Sequence, residues 1–115
     1  MDAARAAGWS GRGHYTPLVG RTIIERRLRD LTERLKTVSR DLAVAEEQLD
    51  HLATDAEELR MRALVSETPL AEQEHRQAER HAEAMRRHRD ELAGEMRQLE
   101  ASQDELLDRL VAART

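Results

Sequence analysis

Glu72 and His75 stand three residues apart, so on a helix they project from one face, and Glu-x-x-His is the pair that recurs in di-iron helical bundles. Those sites require a second such pair and further inward carboxylates, and no second Glu-x-x-His occurs in this chain. His81 and His88 are seven residues apart, about 10 Å along a helix, which is too far to chelate one ion. Cysteine is absent, which removes thiolate nucleophiles, disulfides and Cys-based zinc sites. Gly8, Gly11 and Gly13 lack the spacing of a phosphate loop, and no Gly-Lys-Ser/Thr follows them. These residue types predict a non-enzyme with no catalytic group, no metal and no cofactor.

Two other segments carry contact chemistry. Trp9, Arg12 and Tyr15, spaced by glycines, resemble the arginine, glycine and aromatic texture that stacks on single-stranded RNA. Residues 1–22 hold three arginines against Asp2, a balance of +2, while residues 23–115 hold sixteen cations against twenty-two anions, a balance of −6. An acidic chain with a short basic arm repels nucleic acid over most of its length, so polyanion binding would rest on the arm. Trp9-Ser10-Gly11 also spells the Trp-x-Gly of small secreted helical hairpins, but in that family the motif lies between the helices and here it precedes both.

The second segment is a cluster of apolar residues, Met61, Leu64, Val65 and Leu70, ringed by Asp55, Glu57, Glu58, Glu67, Glu72 and Glu74. An apolar patch rimmed with acid reads as a contact surface for a protein partner. Its layout is similar to the coiled-coil arm of the Gre-type transcript-cleavage factors. That resemblance implies an RNA polymerase partner, with Glu67 as the acidic tip residue. It covers no diagnostic motif, and the globular domain of that family has no counterpart in this chain.

The elements that position these residues follow from periodicity. Ile24, Leu28, Leu31, Leu35, Val38, Leu42, Ala45, Leu49, Leu52, Ala56, Leu59 and Ala63 alternate spacings of four and three, a heptad seam that demands a partner helix. A second seam runs through Ala71, His75, Ala78, Ala82, Met85, Arg89, Leu92, Met96, Leu99, Gln103, Leu106 and Leu110. The stretch Val65-Ser66-Glu67-Thr68 separates them, with Thr68 as a helix N-cap and Pro69 at the first helical position. So short a connection forces antiparallel helices.

The expected fold is therefore all-α: an antiparallel two-helix coiled-coil hairpin with a flexible N-terminal arm. The arm takes residues 1–21, helix 1 residues 22–64 (a rod of roughly 65 Å at 1.5 Å per residue), the turn 65–68 and helix 2 residues 69–113. The best register sets Ile24 on Leu110, Leu35 on Leu99, Leu49 on Met85 and Ala63 on Ala71. It brings Glu46 to Arg86, Arg60 to Glu72, Arg62 to Glu74 and Asp55 to His81, and it lays the Arg89 stem over Ala45. Charged residues at 37% and aromatics at 2% suit such a seam and starve a thick core.

No run of apolar residues is long enough for a membrane span, and the N-terminal residues lack the apolar stretch of a secretory signal, so a soluble cytoplasmic protein is expected. The predicted function is a protein–protein interaction module, an adaptor, regulator or small structural subunit. Its partner would meet the tip through Met61, Leu64, Val65, Glu67, Leu70 and Glu72. Ile23, Leu107 and Val111 lie off the seams at the open end and predict self-association into a homodimer. The alternative is a nucleic-acid- or RNA-polymerase-associated regulator acting through Trp9, Arg12 and Tyr15 of the arm or through the acidic tip.

Overall fold

The computed structural model describes the backbone from Asp2 to Arg114 and the surroundings of the side chains from Gly20 to Ala113. It is a helical hairpin. Helix α1 spans Asp2–Ser66 and α2 spans Pro69–Arg114, and the two pack against each other with no strand among the described residues. None of these helices is long and apolar enough to cross a membrane.

Every expected seam position on both helices is buried or half-buried. Val38 and Ala82 are wholly covered, Ala45 and Ala56 nearly so, and no polar or charged residue is buried among the described residues. The covered positions are small for a geometric reason. A single partner helix covers one stripe, so every seam leucine except Leu106 shows a flank to water, whereas a methyl group vanishes beneath the side chain opposite. Arg89 fits this scheme: it is half-buried in the seam, and its Nε donates to Asp90 Oδ1 at 2.7 Å.

The contacts gather into two units, Met1–Leu35 with Gln98–Thr115, and Lys36–Arg97. In the second unit an open groove of about 310 Å³ runs beside the seam, lined by Leu52, Asp55 and Leu59 of α1 and by Glu74, Gln77, Ala78 and His81 of α2. That neighbourhood agrees with the alignment that puts Leu49 on Met85 and Ala63 on Ala71.

Three expectations need correction. First, α1 does not begin at Thr22 but at Asp2, so the stretch expected as a flexible arm is helical; its four glycines and Pro17 lower helix propensity without forbidding helical dihedrals. The proposed arm contacts Trp9, Arg12 and Tyr15 lie outside the residues whose surroundings are described. Second, α1 continues through Val65 and Ser66, and the turn shrinks to Glu67 and Thr68. Ser66 supports this extra length by donating its hydroxyl to the Arg62 carbonyl at 2.9 Å. Third, Arg86 pairs with Glu83 at 2.9 Å and Arg60 with Glu57 at 2.8 Å, each on its own helix, instead of reaching Glu46 and Glu72 across the seam. A carboxylate three residues away is already within reach, so the guanidinium need not extend to the other helix.

The seam yields a paired prediction. Ala82→Leu should cost about 1–3 kcal/mol by overfilling a covered site, whereas Ala84→Leu, on an exposed turn of the same helix, should stay within about 0.5 kcal/mol. Urea unfolding followed by circular dichroism separates the two, and equal effects would mean that Ala82 does not sit in a packed seam.

Candidate functional site

The end of α1 is built by one backbone bond and one unusual residue. Glu67 donates its N–H to the Ala63 carbonyl at 3.0 Å and holds φ at 53°, the left-handed conformation in which helices commonly stop at glycine. α2 then starts at once. Thr68 Oγ1 accepts the Ala71 N–H at 3.2 Å, the Thr68 carbonyl accepts the Glu72 N–H at 3.1 Å, and Pro69 occupies the first turn without an N–H to satisfy. Glu72 lies in that turn, where the helix dipole favours a carboxylate.

This turn presents the predicted tip. Met61, Leu64, Leu70 and Val65 are 52, 61, 65 and 85% exposed. A shallow, open depression of about 380 Å³ is lined by Ala63, Leu64, Glu67, Thr68, Pro69 and Glu72. Leu64, Glu67 and Glu72 thus share one depression, and Met61, Val65 and Leu70 are exposed on the adjoining turns. Below them Glu57 holds Arg60 by two bonds, to Nε at 3.1 Å and to Nη2 at 2.8 Å. These hydrogen bonds draw the Glu57 carboxyl below the usual glutamate range, and the nearby charges of Arg60 and His75 add to that.

His75 sits in the seam as expected. Its side chain is 18% exposed, and its Nε2 lies 3.8 Å from a Glu79 carboxylate oxygen, beyond hydrogen-bond range. Among the described residues no three His, Asp or Glu side chains converge as metal ligands, so Glu72 and His75 have no third donor there.

At the opposite end of the sequence pair, Ile23, Leu107 and Val111 are all exposed. Helical geometry does not join all three. Ile23 precedes a seam residue, while Leu107 and Val111 each follow one. At 100° per residue that places Ile23 on one flank of the antiparallel pair and the other two on the opposite flank. Val44, exposed at 52%, is an apolar surface residue that the reading of the sequence left out. Its only signal is a position far from the seam, and no neighbour joins it in a patch.

No protein-family model, no curated protein and no solved structure matches this chain.

Two measurements check the geometry. Glu67→Gly should stabilise the hairpin by up to about 1 kcal/mol, because relief of the left-handed strain exceeds the added freedom of the unfolded chain; a lower urea midpoint would show that Glu67 is not strained. Glu57 should titrate below an ordinary glutamate in side-chain carbon NMR, and Arg60→Gln should return it to the ordinary range. Its folded pKa is depressed, so its contribution to stability is present above the ordinary carboxylate range and is lost as the pH falls through the folded value.

Proposed function

We propose that this chain is a non-enzymatic protein–protein interaction module, cytoplasmic in location, which uses the hairpin to hold an apolar, acid-rimmed tip for another protein. The observation that carries this reading is the joint exposure of Met61, Leu64, Val65 and Leu70 around the turn. Folding does not use these side chains: the seam closes on Ala63 and Ala71, which are buried beside them. Solvated apolar side chains are common singly, but four around one turn, spread over both its flanks, concentrate apolar surface there and favour a contact site.

Glu67 supports the same reading. A glycine would end α1 without strain, yet the position holds a carboxylate beside the depression at the cost of a left-handed backbone. Strain of this kind concentrates where a side chain has work to do on the surface. Glu67 and Glu72 then restrict the partner to a surface without opposing carboxylates.

The double variant Leu64→Asp, Val65→Asp should keep its helicity and unfolding midpoint to within about 1 kcal/mol, since both positions are exposed. It should lose the partner that the wild-type chain retains in affinity capture, while a variant at the isolated Val44 should keep it. A capture profile unchanged by the tip substitutions would sink this assignment.

A further inference from the structure

We infer that Met61 is a peroxide-oxidation site whose product is held by Arg60. Hydrogen peroxide transfers one oxygen to the Met61 sulfur, and an apolar thioether near the turn becomes a polar sulfoxide.

Three observations single out this methionine. Met61 is 52% exposed, whereas Met85 and Met96, the other methionines whose surroundings are described, lie half-buried in the α2 seam. Peroxide therefore reaches the Met61 sulfur from water but has to enter packed side chains to reach the other two. The second observation is a donor at the sulfur: Arg60 Nη2 donates to Met61 Sδ at 3.7 Å. The third is what fixes that donor. Glu57 accepts from Arg60 Nε at 3.1 Å and from Nη2 at 2.8 Å, a two-point grip that sets the plane of the guanidinium. Nη2 is an NH₂ group, so one hydrogen goes to Glu57 and the other is left for the sulfur.

The step is a two-electron oxygen transfer. A sulfur lone pair attacks one peroxide oxygen, the O–O bond breaks, and the departing hydroxide takes up the proton left on the transferred oxygen. One thioether and one hydrogen peroxide give one sulfoxide and one water; the sulfur is oxidised and the peroxide reduced. A thioether accepts hydrogen bonds weakly, whereas a sulfoxide is a polar group whose oxygen accepts them well. Rotation about the Cγ–Sδ bond brings that oxygen to the Arg60 N–H already lying at the sulfur, and the Glu57 pair is left intact. The two lone pairs of the thioether give opposite sulfoxide epimers. An N–H seated on one of them makes the pair inequivalent, so the epimers form in unequal amounts. Met61 is one of the four apolar residues assigned to partner contact, so oxidation weakens that contact, a consequence that rests on the proposed function.

The test treats the full chain with hydrogen peroxide and digests it after glutamate, which separates Met61, Met85 and Met96 into residues 59–67, 84–91 and 96–100. Met61 should oxidise roughly fivefold or more faster than either seam methionine, and the three rates should converge in concentrated urea. Reducing the oxidised 59–67 peptide with each of the two epimer-specific methionine sulfoxide reductases counts the epimers. They should be unequal for the folded wild-type chain. Arg60→Ala, or Glu57→Ala to free the guanidinium, should bring their ratio close to one. Both positions are exposed, so both variants should keep the helical spectrum. Equal oxidation rates at the three methionines of the folded chain overturn the proposal. So does an epimer ratio that is the same in the wild type and in Arg60→Ala, because Arg60 then does not hold the sulfur. No partner enters these measurements, so their failure leaves the assignment of the tip standing, and failure of that assignment leaves them standing.

Discussion

Everything in this molecule depends on a seam narrow enough for two helices to close with almost no bulky side chains. The residues that vanish from solvent are Val38, Ala45, Ala56 and Ala82, while the leucines around them remain half-exposed. Burial of this sort contributes little per layer, since an alanine in place of a leucine forgoes something like 1.5–2 kcal/mol at about 25 cal/mol per Å². The rest has to come from the helices themselves. Within-helix pairs such as Arg21 with Glu25 and Arg109 with Glu105 each add a few tenths of a kcal/mol at these exposed sites. The hairpin is thus held by many small local terms aligned by one non-local seam.

That balance explains the turn. With so little cohesion between helices, their register must be fixed where they join. The Glu67 N–H on the Ala63 carbonyl and the Thr68 cap on Ala71 fix it within two residues. Ala63 and Ala71 are both buried, so the last layer of the seam and the two caps are the same residues seen from two sides. The turn is held by hydrogen bonds on both sides, and its apolar side chains project from that frame.

The seams were fully legible, because a period of three and four survives any detail of side-chain placement: even His75, Arg89 and Gln103, the polar residues in the second seam, lie half-buried where the spacing put them. Thr68 and Pro69 were legible for the same reason, as their roles depend on backbone chemistry alone. The end of α1 was not, since Ser66 joins the helix through a hydroxyl-to-carbonyl bond that any serine is able to make and few need. Charge partners were the least legible. A guanidinium chooses among carboxylates at similar distances, and the choice turns on rotamers that the sequence does not encode; Arg86 took Glu83 over Glu46. The tip residues were found from composition around the turn, whereas the split of Ile23 from Leu107 and Val111 needed the helical phase to be followed across both helices.

The two surfaces left over by the seam differ in what they are able to hold. Four exposed apolar side chains around a hydrogen-bonded turn are the kind of residue that, when anchored in a pocket, carries most of the energy of a protein interface. Leu107 and Val111 offer less, two side chains per copy, well short of the apolar content of a permanent dimer. An association built there must draw on the charges around it, so it responds to concentration and ionic strength.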